Sequence, residues 1–259
     1  MKVDNILIIP DKQNIEESLQ LAETYHCGFE YNDFFLPDVL DNRAVVQETI
    51  RFYKNLGKLP EYCTSHGAFL DVTVFSDDAR IREVSDYRVE QSLDIASELG
   101  AQAVIFHTNF VPNFHLEIYY RSFVDRNYEY WSKKLEKYPD MNIYIENMFD
   151  MDWTLIAALA ERFKGVEHFG VCFDYAHAHV FGDENRIDDW VNALAPYVKH
   201  MHINDNDFQS DLHLALGDGK IDWKHFCEQY EQYFAPASVL IETKDMQNIR
   251  KSLAYMAEL

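Results

Sequence analysis

The sequence predicts the α/β class, and within it a single (β/α)8 barrel that takes residues 1–259 as one domain. Three observations carry that expectation. Eight short apolar runs alternate with longer amphipathic stretches, the pattern of βα units repeated around a parallel sheet. The length of 259 residues suits one barrel, and no linker, low-complexity tract or charge block marks a second domain. Six of the runs finish on or near a histidine, aspartate or glutamate, an ending that stability alone gives a buried strand little reason to adopt.

In chain order the candidate strands are NILII (5–9), GFEY (28–31), YCTSH (62–66), AVIFH (103–107), NIYIE (142–146), GVCFD (170–174), VKHMHI (198–203) and SVLIE (238–242). Between them, segments 14–26, 86–100, 152–163 and 223–234 repeat their apolar residues at helical spacing. Gly28, Gly100 and Gly165 stand where helices should stop before the next strand. His26 falls at a helix end, where a cation complements the helix dipole. The aromatic cluster Phe110, Phe114, Tyr119, Tyr120, Phe123, Tyr128, Tyr130 and Trp131 follows the fourth run and is expected to pack as core, since aromatic stripes at helical spacing usually face one. Phe110, Phe114 and Phe149 lie nearest the strand ends and are the candidates for substrate contact, with Lys244 as a candidate anion contact.

Hydrophobic residues make up 47% of the chain and charged residues 26%, a globular composition. MKVDNILIIPDKQ at the N-terminus lacks the apolar stretch of a signal peptide, and no run is long enough to span a bilayer, so a cytoplasmic location is expected. Cys27, Cys63, Cys172 and Cys227 form no C-x-x-C pair, which points away from a disulfide framework or a thiolate zinc site. With 44 acidic against 23 basic residues the net charge is −21, a field that repels polyanions. DNA, RNA and anionic membranes are disfavoured as partners, because binding a phosphate backbone rests on lysine and arginine. The expected partner is a small-molecule substrate, and a homo-oligomer is compatible with the composition.

Side chains of a barrel strand alternate between the lumen and the helix layer. Glu146 therefore shares its face with Tyr144, Asp174 with Cys172, Glu242 with Leu240, and His202 with His200. With His66 and His107, these groups converge on the C-terminal mouth, where barrel enzymes carry their active sites. A single polar strand end is usually a satisfied structural group. So many carboxylates and imidazoles on one rim would repel or leave hydrogen-bond demands unmet unless a divalent cation sat among them. The donor set of carboxylate oxygen and imidazole nitrogen suits Mn2+, Co2+, Mg2+, Fe2+ or Zn2+. A lone G-x-G at Gly217 to Gly219 lacks the strand–turn–helix context of a phosphate cradle and is expected to be a loop leading into a helix.

GVCFDYAHAHVFG (170–182), HMHINDNDFQSDLHLALGDGKIDW (200–223) and IEN (145–147), together with SHGAF (65–69), FHTN (106–109) and LIET (240–243), resemble the xylose isomerase-like TIM barrel superfamily. That superfamily contains sugar-phosphate isomerases and epimerases and the apurinic endonuclease IV group. The resemblance to the epimerases implies one divalent ion held by Glu146, Asp174, His202 and Glu242, with Glu146 and Glu242 exchanging protons with the substrate. The resemblance to the endonucleases implies up to three zinc ions and five further ligands, His66, His107, His177, Asp211 and His213; substrate hydrogen bonding is an equal reading of His177 and His213. The sequence departs from the nuclease pattern at Met148-Phe149-Asp150, where that group has a small glycine-containing turn, and in a shorter stretch from His202 to Asp211.

Three functions follow in rank order. First comes a metal-dependent isomerase or epimerase acting on a small sugar, sugar phosphate or polyol by carboxylate-mediated proton transfer, which explains a need for two glutamates. A multinuclear zinc phosphoesterase of the endonuclease IV type is second. A non-catalytic ligand-binding barrel ranks last, because the carboxylate pair is intact.

Overall fold

Eight parallel strands close on themselves in chain order: β1 (Ile6–Ile8), β2 (Gly28–Tyr31), β3 (Cys63–His66), β4 (Ala103–His107), β5 (Asn142–Glu146), β6 (Phe169–Asp174), β7 (Val198–Ile203) and β8 (Ser238–Ile241). This is the (β/α)8 TIM barrel expected from the sequence, seen in a computed structural model that describes residues 5–111, 116–243 and 245–259. Phe114, His115 and Lys244 lie outside the described residues.

The period of two along the strands, interrupted by a register shift between β6 and β7, splits the apolar residues into two bodies. Ile143, Ile145, Val171, Phe173, Val239 and Ile241 belong to the large core between sheet and helices. Ala103, Ile105, Tyr144 and Cys172 form a separate small cluster in the lumen. Register then decides which rim groups are neighbours. Glu30 of β2 pairs with Thr64 of β3, His107 of β4 with Glu146 of β5, and Asp174 of β6 with His202 of β7. Glu242 follows directly after β8, its N–H donating to the Ile203 carbonyl at 2.9 Å.

The helices pack outside, among them Ile15–Tyr25, Ala79–Leu99, Glu117–Lys137, Thr154–Arg162 and Met246–Glu258. Trp223–Gln229 runs on into a π-turn over Tyr230–Phe234, so the periodic stretch 223–234 is helical in two registers. Gly100 ends its helix in the left-handed region, as expected. Gly28 does not end the first helix. The left-handed turn falls on His26 (φ 57), and Gly28 already belongs to β2, where a β-carbon would stand 2.3 Å from the Tyr62 carbonyl oxygen. Glycine is needed there for close approach between strands, not for helix termination. Among the described residues no helix is long and apolar enough to cross a membrane.

Candidate metal centre

β6 ends at Asp174, and the chain turns at once into the short helix Tyr175–Val180. Asp174 caps that helix: its Oδ1 accepts from the His177 N–H at 2.6 Å, while its Oδ2 has no hydrogen-bond partner. The D-x-x-H spacing thus does two things. It satisfies an orphan helix donor and it brings His177 one turn round to the same mouth, its Nδ1 3.3 Å from Asp174 Oδ2 and 3.3 Å from Glu146 Oε1.

Glu146 is the hub. It is 1% exposed, and the Nε2 atoms of His66 and His107 stand 3.7 Å from its Oε2, with His202 Nδ1 at 3.2 Å. His202 Nδ1 is also 3.6 Å from Glu242 Oε2. The rim therefore divides into overlapping sets: His66, His107 and Glu146; Asp174, His202 and Glu242; and a link through Glu146, Asp174 and His177. A further set forms where Asp211 Oδ2 lies 3.6 Å from His177 Nε2 and 2.9 Å from His213 Nε2. All nine residues named from the sequence are brought together.

The hydrogen bonds around the imidazoles indicate which nitrogen each one offers. Nδ1 of His66, His177 and His213 sits 3.0 Å from the backbone carbonyls of Gly67, Asn147 and Glu242 respectively. A carbonyl can only accept, so each Nδ1 carries a proton, which leaves Nε2 as the nitrogen turned toward the carboxylates and available to a cation that displaces its proton. That orientation by an outer acceptor is how metal-binding histidines are commonly held. His213 adopts a left-handed backbone (φ 51), a conformation that costs a residue with a β-carbon and recurs at functional sites.

Orphaned atoms show what the residues fit. Glu146 Oε2, Asp174 Oδ2, Asp211 Oδ1, Glu242 Oε2, His107 Nδ1 and both nitrogens of His202 are buried without a hydrogen-bond partner. Unmet demand on this scale is costly unless cations satisfy it. The electrostatics agree. Burial lifts the Asp174 carboxyl to about 7 against the pull of His177, with Glu146 and Glu242 adding to the rise, whereas His202, His107 and His177 together override burial and hold Glu146 well below the usual carboxylate range. Burial pulls His107 down to about 3, leaving a neutral ring able to donate a lone pair. Burial also works against the His213 cation, but Asp211 and Glu242 raise it to about 9. The residues fit divalent metal ions.

A cavity of about 250 Å³ opens over this centre, lined on its other side by Ile9, Asn32, Phe35, Phe69, Met148 and Thr243. Phe69 lies 4.9 Å from the His107 ring and 5.9 Å from that of His66, centroid to centroid. These wall residues were not singled out from the sequence, although Phe69 closes the SHGAF block. Phe110 is instead buried against Tyr119, Tyr120 and Phe123, away from the cavity, as the core reading of that aromatic cluster requires. Phe149 packs edge-on against Phe181 and does not line the cavity either. The two were drawn to the mouth by their place in the chain, but the loops after β4 and β5 turn their rings into apolar neighbours. His179, a residue of the same short helix as His177, faces the other way and lies flat on Phe208 at 4.9 Å.

The loop that carries Asp211 and His213 is tied down by Asp205. Its Oδ1 accepts from the N–H groups of Asn206 (2.9 Å) and Ile221 (3.2 Å), and its Oδ2 from the Gly217 N–H and the Trp223 indole, both at 2.9 Å. Two backbone bonds between Asp205 and Leu214 brace the same loop. The G-x-G is part of this brace. Gly217 takes φ 86, and a β-carbon on Gly219 would stand 2.3 Å from Asp205 Oδ1.

Comparison with known proteins adds four findings. The profile of the xylose isomerase-like TIM barrel family matches residues 21–259. A probable endonuclease 4 of Mycobacterium leprae is 26% identical over 215 residues, 77% of this chain and 79% of that protein. Among solved structures, a Thermus thermophilus protein soaked with zinc chloride superposes with a TM-score of 0.75 at 24% identity, covering 98% of this chain and 97% of that one. A D-tagatose 3-epimerase-like protein superposes with a TM-score of 0.74 at 19% identity, covering 98% and 96%.

Proposed function

The chain belongs to the xylose isomerase-like TIM barrel family, and from that premise we propose that it is a metal-dependent hydrolase of small phosphoesters, using a centre of up to three divalent ions. The observation that carries this reading is the enclosure of Glu146 by His66, His107, His177 and His202 at 3.2–3.7 Å. A carboxylate ringed by four imidazoles, 1% exposed although it lines the cavity, would be better placed to hold cations than to move a proton to and from a substrate carbon. Proton transfer, first in rank by sequence, asks for a less encumbered Glu146, and we place it second on that ground.

His66, His107 and Glu146 would hold one ion, Glu146, Asp174, His202 and Glu242 a second, and His177, Asp211 and His213 a third. Bound there, divalent ions would supply Lewis acidity toward a phosphoryl oxygen and lower the pKa of water. Those ions would also supply positive charge toward a phosphoryl group. Phe35, Phe69 and Met148 exclude water from one side and strengthen the electrostatics on the other. The cavity volume and the net charge of −21 favour a small phosphorylated substrate over duplex DNA.

Elemental mass spectrometry of the purified chain, with a panel of small phosphoesters and an abasic duplex as substrates, tests the reading. Two or three zinc ions per chain and release of phosphate are expected. A single ion per chain, with undiminished turnover after His177→Asn and His213→Asn, would overturn it. The isomerase or epimerase reading then takes its place. One observation favours that second reading: Glu242 lines the cavity with its Oε2 unpartnered and its side chain 14% exposed, so it is a carboxylate able to meet a substrate C–H. Its signature is exchange of solvent deuterium into a sugar or sugar phosphate.

A further inference from the structure

Beneath the centre, in the barrel lumen, lies a polar cluster that the proposed chemistry does not use: Glu30 on β2, Thr64 on β3, His200 on β7 and Ser238 on β8, none more than 3% exposed. Thr64 Oγ1 donates to Glu30 Oε2 at 2.7 Å, and His200 Nε2 lies 3.2 Å from the same oxygen. A carboxylate oxygen accepts, so His200 Nε2 carries a proton, and in the neutral ring its Nδ1 takes the Ser238 hydroxyl at 2.7 Å. With Oε2 engaged twice, Oε1 is left without a hydrogen-bond partner and stands 3.3 Å from His202 Nε2. The opposite nitrogen, His202 Nδ1, is the one that faces Glu146 and Glu242.

A buried carboxylate has to be compensated, and Thr64, His200, His202 and, through His200, Ser238 are committed to this one from three other strands. Solvation does not explain it, because Glu30, Thr64 and His200 are wholly buried and Ser238 nearly so, and a hydrophobic lumen would pack as well or better. What the arrangement accomplishes is directional. Two donors on Oε2 aim Oε1 at one nitrogen of one histidine.

We propose that Glu30 is a positioning residue, which keeps the proton of His202 on Nε2 so that the Nδ1 lone pair faces the pocket of Glu146, Asp174 and Glu242, with Thr64 and His200 holding Glu30 in turn. The inference rests on the metal-centre reading. It adds to it that affinity at one set of ligands is controlled from the lumen floor, through a residue that touches neither ion nor substrate. Removing an outer carboxylate of this kind typically costs 10–100-fold in metal affinity.

The test is titration of the metal-free full chain with cobalt(II) chloride, following the visible absorption bands and competing with a chelator. Glu30→Gln should fold, as judged by near-ultraviolet circular dichroism, and should bind one cobalt ion about 10–100-fold more weakly than the unaltered protein, with an altered band for that ion. The ions held by His66 and His107 and by Asp211 and His213 should keep their affinity. Glu30→Asp, which keeps the charge, should recover part of the loss. Thr64→Val removes one anchor and leaves Glu30 in place; it should show a smaller loss at the same ion, and it serves as the deciding variant if Glu30→Gln does not fold. Cobalt affinities and spectra identical to those of the unaltered chain in every variant that folds would overturn the inference and leave the metal centre standing. Absence of cobalt binding by the unaltered chain would overturn both.

Discussion

Asp205 offers the sharpest link between the fold and the third set of ligands. In Asp205→Asn the oxygen that meets the Gly217 N–H and the Trp223 indole, or the one that meets Asn206 and Ile221, becomes an NH2 group facing two donors. Two hydrogen bonds to a charged, fully buried acceptor are lost at once, each worth about 1.5–3 kcal/mol. The expected cost is about 3–6 kcal/mol, which for a chain of this size lowers the melting temperature by roughly 6–15 °C. The same change loosens the loop that presents Asp211 and His213, so the content of bound zinc should fall by one ion per chain. The ligands on β4 and β5, His107 and Glu146, do not depend on that loop and should stay loaded. The assay is urea denaturation of the metal-free chain, followed by elemental analysis of protein dialysed against zinc. An unchanged urea midpoint with a full complement of metal would refute the argument that Asp205 braces the site.

Asp150 is buried, accepts from Thr108 Oγ1 at 2.5 Å and the Met148 N–H at 3.1 Å, and burial pushes its carboxyl up to about 6. The folded state thus holds a proton that the unfolded chain releases near 3.8, and stability is lost as pH rises from about 4 to 6. Asp150→Asn should remove up to about 3 kcal/mol of that penalty at pH 7 and flatten the profile; parallel melting curves for the two proteins from pH 4 to 7 would contradict this. Gly28→Ala drives a methyl group to 2.3 Å from the Tyr62 carbonyl and should destabilise by at least about 1–3 kcal/mol, whereas Gly57→Ala, with nothing within 4 Å, should be near neutral by the same chemical denaturation. Glu146→Gln removes the shared ligand of two sets and should cost more than one ion per chain; loss of no metal would sink the ligand assignment.

What the sequence by itself determined about this protein is whatever follows from period and residue type. Alternation along NIYIE, GVCFD and SVLIE placed Glu146, Asp174 and Glu242 on the lumen side of their strands, because parity in a strand is a local property. The match between eight βα units and a closed barrel followed from the same patterning. Tertiary structure alone decided the rest. Register between strands determined that His107 sits beside Glu146 and that Asp174 sits beside His202, and no local signal encodes a register between segments far apart in the chain. Phe110 and Phe149 looked close to the mouth because they follow strand ends, but loop geometry buries the one and turns the other onto Phe181. Gly28 read as a helix stop because glycine usually is one; the Tyr62 carbonyl, just before the neighbouring strand, is what excludes a side chain. Glu30 carried a parity signal in GFEY and nothing more. Its meaning comes from three other strands closing around it, which only a barrel that joins its first strand to its last can bring about.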